Sequence, residues 1–163
     1  MEASGAALIT VHGRTKQQMY SLPVDTDIIA EVKKSVSVPV IANGGINSVD
    51  DAVNMLNRTG CDGLALARGA IGNPWLFSNI RSYFLGKPLT IPTVKNRIET
   101  AEKHLKLEIQ NKGELTGVRE SKSVIGHYLF GLKDAALARM KINMSESANE
   151  IFEILKFILT ENN

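Results

Sequence analysis

The chain has 163 residues, of which 44% are hydrophobic and 22% charged, enough for one ordinary domain or one domain with a small companion. Its formal net charge is only +2, it contains no low-complexity segment, and no apolar run approaches the ~20 residues of a membrane span, which argues against a disordered or transmembrane protein. The N-terminus lacks the pattern of a signal peptide and the single cysteine, Cys61, excludes an internal disulfide framework, so we expect a soluble, cytoplasmic protein.

Three apolar segments, at residues 6–15, 38–45 and 63–70, each lead into a polar or glycine-rich end. Two of them are rich in β-branched residues, and none alternates between apolar and polar residues, which is typical of parallel strands buried on both faces. We therefore predict three parallel strands, whose C-terminal ends carry His12-Gly13-Arg14-Thr15, Asn43-Gly44-Gly45 and Arg68-Gly69.

Helical patterns separate these strands. Residues 25–36 offer Asp25 or Thr26 as the N-cap, and their apolar stripe consists of Ile28, Ile29, Val32 and Val36. Residues 48–59 begin at Ser48, a good N-cap, and are followed by Gly60 in the position that closes helices. A third helix is predicted after Asn73 and Pro74 and ends at Gly86. The order β-α-β-α-β-α predicts an α/β fold around a parallel sheet.

Residues after 87 carry helical patterns without strands. One apolar stripe contains Val94, Ile98, Ala101 and Leu105, and a final helix starting near Ser145 carries Ile151, Phe152, Leu155, Ile158 and Leu159. Residues 87–143 have eleven Lys/Arg against six Asp/Glu, whereas residues 1–86 have seven of each. This basic section favours a polyanionic partner, and a solvated helix surface explains the charge equally well.

The polar ends of the three strands form a candidate anion site. Loops after parallel strands meet at the C-terminal edge of the sheet, where α/β proteins place their sites. Gly44 and Gly45 allow backbone N–H groups to approach an anion, Asn43 supplies a donor and an acceptor, and Arg68 can bind a phosphate through two nitrogens. A phosphate pocket formed by the last two βα loops is typical of (β/α)8 barrels.

Three parallel strands cannot close a barrel, and the segment before the first strand, "MEASG", is typical of the end of a helix. We therefore expect the chain to be the C-terminal part of a longer protein. Exposed strand edges and unsupported apolar faces would leave it marginally stable, oligomeric or prone to aggregate.

The segments "LITVHGRTKQQMYS", "VSVPVIANGGI" and "TGCDGLALARGAIGNPWLF" together resemble the tRNA-dihydrouridine synthases, FMN-dependent enzymes that reduce the C5–C6 bond of uridine in tRNA. The resemblance covers the whole chain. It implies that residues 1–86 form the last three βα units of a (β/α)8 TIM barrel that binds FMN, and that residues 87–163 form a small helical domain that binds tRNA. In the complete enzyme it implies NADPH as the electron donor.

The resemblance also implies roles for individual residues. His12 would lie against the isoalloxazine ring, with Gly13 and Arg14 nearby, and the FMN phosphate would be held by Asn43, Gly44, Gly45, Ala67 and Arg68. Many members have Asp at position 45 and Gly at position 67. In the helical part, Arg119 and Lys122 match a basic cluster associated with tRNA, but Ser123 and Val124 replace residues that are often basic and His.

The family's catalytic cysteine lies in an Asn-x-Gly-Cys-Pro loop, and this sequence contains no such segment. Cys61 precedes the third strand, at the end opposite the site, and is expected to be a small buried residue. We therefore expect no catalytic residue and no metal ligand in this chain. His104 and His127 are expected to have packing or surface roles, and the aromatic residues of the third helix are expected to pack against the barrel wall: Trp75, Phe77, Tyr83 and Phe84.

Two other functions remain open at this point. One is a different FMN- or phosphate-binding barrel that acts on a small molecule, such as a dihydroorotate-dehydrogenase-like enzyme. The other is a non-catalytic RNA-binding helical module attached to a barrel remnant. The basic helical section argues against the first, and tRNA affinity that does not depend on FMN would favour the second.

Overall fold

The computed structural model describes residues 1–19 and 21–162. Tyr20, which lies in the first of the motifs quoted above, and Asn163 fall outside the described residues. The chain divides into two compact units. The first consists of Met1–Ala70 and Leu76–Leu89, and the second of Ile71–Trp75 and Thr90–Asn163.

The first unit contains a parallel three-stranded sheet, as predicted. Its strands are β1 (Ile9–His12), β2 (Val40–Asn43) and β3 (Gly63–Ala65), and they pair in the order β1-β2-β3. β2 therefore lies in the middle, and its Val40 and Ala42 are fully buried. Burial alternates along β2, so one of its faces is fully buried and the other, which carries Ile41 and Asn43, is only partly covered.

Helices α1 (Thr26–Ser35), α2 (Val49–Thr59) and α3 (Trp75–Phe84) follow the three strands. Asp25 caps α1 by accepting hydrogen bonds from the N–H groups of Asp27 and Ile28, and Ser48 caps α2 by accepting one from Asp51. Gly60 ends α2 in the left-handed conformation, at φ 65°. These local signals lie where the sequence predicted them, because a cap acts on groups only two or three residues away.

The core of the first unit is formed where α1 and α2 pack on the sheet. Its buried members are Ile29, Val40, Ala42, Ile46, Ala52, Met55 and Cys61. Cys61 is a free, buried thiol, as expected. Ile28, in contrast, was predicted on the apolar stripe of α1 and is 45% exposed, because Ile29 is the side chain that points into this core.

The prediction that four aromatic residues of α3 pack against the barrel wall is wrong for three of them in this structure. Phe77, Tyr83 and Phe84 are about half exposed, and it is Leu76 and the partly buried Ile80, one helical turn apart, that face inward. Trp75 belongs to the second unit, where its ring packs edge-on against that of Tyr128 at 6.4 Å between centroids.

The second unit is built from four helices: α4 (Val94–Lys112), α5 (Glu114–His127), α6 (Ala135–Met144) and α7 (Ala148–Glu161). Its core includes the stripe residues predicted from the sequence, among them the fully buried Leu105, Ile151 and Leu155. The last helix begins three residues after the predicted start, at a cap formed by Ser147. The fold is therefore mixed α/β, with a small parallel sheet and many helices. Within the described residues, no helix is both long enough and apolar enough to cross a membrane.

Candidate functional site

The C-terminal ends of the three strands lie side by side. In the register of the sheet, His12 pairs with Asn43 and Asn43 pairs with Ala65. The side-chain amide of Asn43 donates a hydrogen bond to the backbone carbonyl of Ala65, at 2.7 Å, which joins the ends of β2 and β3. The loops that follow the three strands therefore begin side by side at the C-terminal end of the sheet.

A pocket of about 190 Å³ lies at this edge. It brings together seven of the eight residues predicted to contact the cofactor: His12, Arg14, Asn43, Gly44, Gly45, Ala67 and Arg68. Asn43 and Arg68, which a single ligand would have to reach together, line the same pocket.

Backbone forms much of the pocket wall. Gly44 and Gly45 have φ values of 112° and 70°, which L-residues with side chains rarely adopt. A Cβ atom added to Gly44 would lie 2.8 Å from Cε1 of His12, so the imidazole ring packs directly against this glycine. On the other side, a Cβ atom on Gly69 would lie 2.2 Å from the carbonyl oxygen of Ile46. The absence of side chains at Gly44 and Gly69 therefore lets the His12 ring and the loop after β2 pack directly against the backbone of the pocket wall.

The charged groups at the pocket are cationic. Arg14 and Arg68 line it, and no acidic side chain is among the described residues that do. The Nε of Arg14 donates a hydrogen bond to the carbonyl oxygen of Leu22, at 2.6 Å, which fixes the guanidinium group in place. Its Nη1 is buried and has no hydrogen-bond partner among the described residues. A buried guanidinium nitrogen without an acceptor is costly, and an anionic ligand would supply the missing acceptor.

Helix α2 starts next to the pocket and adds to its preference for anions. Asn47, which lines the pocket, immediately precedes the N-cap Ser48. The first N–H groups of a helix have no intrahelical acceptor, and its dipole places partial positive charge at this end. The loop itself is held by hydrogen bonds from the Asn47 side chain to the Gly45 carbonyl and from the Asn47 N–H to the Asp51 carboxylate, at 3.3 and 3.0 Å.

Gly13 does not line the pocket, and its surroundings indicate a packing role. A Cβ atom at this position would lie 2.5 Å from the carbonyl oxygen of Asp25. The carbonyl of Gly13 accepts a hydrogen bond from the N–H of Asp25, at 2.8 Å. Gly13 therefore lets the chain after β1 approach the start of α1, and its place near the flavin stays a prediction from the resemblance.

Four further residues line the pocket that the sequence did not single out as cofactor contacts: Ile46, Asn47, Ala65 and Gly69. Gly69 had the clearest signal, since it directly follows Ala67 and Arg68 in a strand end already assigned to the site. Ile46 and Asn47 continue the Asn43-Gly44-Gly45 loop. Nothing in the residue type of Ala65 marks it, because only the sheet register places it beside Asn43.

Arg119 and Lys122, the predicted RNA contacts, lie on α5 in the second unit. Arg119 is exposed, and the ammonium group of Lys122 donates a hydrogen bond to the backbone carbonyl of Asn143, near the end of α6, at 3.1 Å. The two histidines of the unit make local contacts, with His104 close to the Tyr128 hydroxyl and His127 bonded to the Ser123 carbonyl. In the part of the chain that the structure describes, no group of three or more His, Cys, Asp or Glu could hold a metal ion.

Comparison with known proteins gives the family. The sequence model of the family described as dihydrouridine synthase (Dus) matches residues 1–162, almost the whole chain. The chain belongs to the dihydrouridine synthase family. This membership confirms the resemblance carried by the three motifs around the pocket.

The curated relatives of this Dus chain carry names of the same family. A "Probable tRNA-dihydrouridine synthase" of Rickettsia conorii is 40% identical over 144 residues, 88% of this chain and 44% of the relative. One of the same name from Mycobacterium leprae is 36% identical over 92% of this chain and 40% of the relative. "tRNA-dihydrouridine synthase B" of Shewanella oneidensis is 36% identical over 98% of this chain and 50% of the relative. The chain thus spans half or less of the length of these relatives.

Proposed function

We propose that this chain is the C-terminal portion of a tRNA-dihydrouridine synthase, which reduces uridine to 5,6-dihydrouridine in tRNA with FMN and NADPH. Its first unit would form the last three βα units of a TIM barrel and hold the FMN phosphate, and its second unit would bind tRNA. The observation that carries this proposal is the pocket at the end of the sheet, which has two arginines, a wall of glycine backbone and no acidic residue among its described lining.

The pocket residues fit the phosphate of FMN. The guanidinium groups of Arg14 and Arg68 supply positive charge, and the buried Nη1 of Arg14 has a donor to offer. The backbone N–H groups of Gly44 and Gly45 would add donors that require no side chain, and the start of α2 would add partial positive charge. The amide nitrogen of Asn43 uses one of its two N–H groups on the Ala65 carbonyl, so its second N–H can donate to a phosphate oxygen.

His12 would form one side of the flavin site. Its ring packs on Gly44 at the end of β1 and remains exposed on the pocket side. An exposed imidazole held against backbone can lie along an aromatic ring system and donate a hydrogen bond to it. When bound, FMN supplies the capacity to take hydride from a nicotinamide and pass it to C6 of uridine. The task of the residues in this chain is to bind and orient the cofactor.

The chain by itself is proposed to be inactive. Its one cysteine, Cys61, lies in the buried core before β3, at the edge of the sheet opposite the pocket, and so cannot protonate a substrate there. We expect no dihydrouridine when the purified 163-residue protein is incubated with unmodified tRNA, FMN and NADPH. Dihydrouridine formed under these conditions would show that the chain contains its own proton donor and would contradict this part of the proposal.

The cofactor assignment can be tested by comparing FMN with riboflavin, which lacks the phosphate. The purified chain should bind FMN more tightly, because the proposed contacts are mainly with the phosphate. Arg14→Gln should remove most of this preference. FMN affinity should fall by about tenfold or more, the cost of losing one hydrogen bond to a charged group. Arg81→Gln is the matched control, because Arg81 is an exposed arginine of α3 that does not line the pocket. Equal affinity for FMN and riboflavin would refute the phosphate assignment.

The RNA assignment is tested by filter binding of unmodified tRNA at two salt concentrations. Affinity that falls as salt rises is expected if Arg119 and Lys122 contact phosphates, since each contact releases counterions. A dihydroorotate-dehydrogenase-like enzyme would not bind tRNA in this assay. A non-catalytic RNA-binding module would bind tRNA but would show no FMN preference in the flavin assay.

A further inference from the structure

We infer that Phe130, flanked by Arg139 and His127, is a stacking platform for an unpaired base of the RNA substrate. It extends the basic face of α5 that carries Arg119 and Lys122. This inference rests on the proposed tRNA-binding function of the second unit and adds to it the kind of RNA structure that the unit recognises.

Phe130 is an exposed aromatic ring with cationic neighbours. It is 56% exposed, so one face of its ring can be reached by a ligand. The guanidinium carbon of Arg139 lies 4.8 Å from the ring centroid, and the His127 ring lies 5.4 Å away at an angle of 64°. An aromatic face next to a guanidinium group is the pairing that single-strand RNA-binding proteins offer to a base and its phosphate.

The turn that carries Phe130 is fixed by the interior of the unit. Arg97 of α4 donates two hydrogen bonds to this turn, from Nε to the Tyr128 carbonyl at 2.8 Å and from Nη2 to the Phe130 carbonyl at 2.6 Å. Tyr128 is buried, and its ring packs edge-on against Trp75 and His104. A ring held in place before binding loses little conformational entropy when a base stacks on it.

Two contacts between α5 and α6, one helical turn apart, link Phe130 and Arg139 to the predicted RNA contacts. Gly126 leaves room for the stem of Arg139, since an added Cβ atom would lie 3.3 Å from Cγ of that arginine. One turn earlier on α5, Lys122 bonds to the carbonyl of Asn143, which lies one turn later than Arg139 on α6. The strip from Arg119 to Phe130 follows α5 for about 12 Å, at the helical rise per residue, as far as His127, and then the turn that carries Phe130.

The charges of this strip are not neutralised within the protein. Among the described residues, no carboxylate lies within salt-bridge distance of Arg119, Lys122 or Arg139. Four other lysines of the unit do have a carboxylate partner, for example Lys112 with Glu108 and Lys133 with Glu161. Arginines without a carboxylate partner can bind the phosphates of an RNA strand. The exposed aromatic ring beside them can stack on a base that is splayed out of that strand. A duplex would leave the ring without a base to stack on.

The groove between α6 and α7 provides an internal comparison. Phe157 is 49% exposed, close to the value for Phe130, but the groove that it lines contains two carboxylates, Asp134 and Glu153, against one cation, Lys141. Carboxylates repel the RNA backbone, so an exposed phenylalanine in this setting should not contribute to RNA binding. Phe157→Ala is therefore the matched control for Phe130→Ala.

The test is fluorescence anisotropy of the full 163-residue chain with a labelled single-stranded oligoribonucleotide of about 10 nucleotides, a typical site size. Phe130→Ala should weaken binding by about 5- to 150-fold, the range for loss of one base–aromatic stack. Its salt dependence should not change, because no charge is removed. Phe130→Trp should keep the affinity, and Phe157→Ala should leave it unchanged. Thermal melts of each variant show that the fold is intact.

Two further arms identify the contact as base stacking. Replacing the bases of the oligonucleotide by abasic sites should reduce the effect of Phe130→Ala, because no base remains to stack on the ring. Arg139→Gln should lower the slope of log affinity against log salt by about 0.7, the value for one phosphate contact on a single strand. Lys156→Gln, a change of the same charge at an exposed site on α7, should leave the slope unchanged.

The outcomes separate this inference from the proposed function. If the unaltered chain binds tRNA with a clear salt dependence but Phe130→Ala and Phe157→Ala behave alike, the platform is refuted and the tRNA-binding function stands. If the unaltered chain binds neither tRNA nor the oligonucleotide, both are refuted. If Phe130→Ala weakens binding to abasic RNA by the same factor, Phe130 maintains the conformation of the protein and does not contact a base. This result would also refute base stacking.

Discussion

Gly69 is the position at which a single methyl group should most directly distort the proposed phosphate site. Its φ lies outside the left-handed region, so alanine can adopt the backbone conformation, and the effect of Gly69→Ala depends on space alone. The added Cβ atom would lie 2.2 Å from the carbonyl oxygen of Ile46 and 2.8 Å from Cα of Asn47. Both are backbone atoms of the loop after β2, so no side-chain rotation can relieve the contact.

The size of the effect follows from this overlap. Ordinary van der Waals contact begins near 3.4 Å, so the loops after β2 and β3 must separate by about 1.2 Å. Overpacking of this kind costs about 1–3 kcal/mol, and the reduced entropy of the unfolded chain returns about 0.4–1 kcal/mol. We expect the free energy of unfolding to fall by about 1–2 kcal/mol and FMN affinity to fall by about tenfold, as for one lost hydrogen bond to a charged group.

Gly63→Ala is the matched control in the same strand region. Gly63 also lies outside the left-handed region, but its added Cβ atom would meet Cδ1 of Ile41, at 2.9 Å, which is the end of a flexible side chain. We expect a change in unfolding free energy of less than about 0.5 kcal/mol, since a small rotation of Ile41 relieves the contact.

Urea unfolding and FMN titration of the two variants measure these effects. With a slope of about 1–3 kcal/mol per molar for small proteins, the midpoint for Gly69→Ala should fall by roughly 0.3–2 M. If the two units unfold separately, only the transition of the first unit should move. Equal stability and equal FMN affinity of Gly69→Ala and Gly63→Ala would refute the close approach of the two loops as the basis of the site.

Three other changes test the energetics of the fold. Hydrogen bonds from the Lys33 side chain and the Val40 N–H hold the pKa of Asp62 below its usual value. The ionised carboxylate therefore stabilises the fold above the unfolded pKa of about 4, and this stabilisation is lost as pH falls through the lower folded pKa. Asp62→Asn should therefore lower the urea midpoint at pH 7, and the difference from the unaltered chain should shrink as pH falls below about 4. Ser121 is 1% exposed and its hydroxyl has no partner among the described residues, so Ser121→Ala should raise the thermal stability of the second unit by about 1 kcal/mol. Leu155 is fully buried in that unit, and Leu155→Ala should cost about 2–5 kcal/mol in chemical unfolding.

The sequence was sufficient for features that depend on neighbours along the chain. Short apolar runs predicted the three strands, and the caps Asp25, Ser48 and Gly60 act on groups within a few residues of themselves. The convergence of His12 and Asn43 at one edge also followed, because parallel strands of similar length end on the same side of their sheet. The family motifs could be read in the same way, since they occupy these strand ends.

Only the tertiary structure decided the contacts between residues that are distant in the chain. The tether of Arg14 to the Leu22 carbonyl, the approach of Gly69 to Ile46, and the position of Arg139 over Phe130 have no signal in residue type or spacing. The exposure of Phe77 could not be predicted for a related reason. Periodicity shows that a helix has an apolar face, but whether that face is covered depends on the elements packed around it, and their positions are set by the folded chain as a whole.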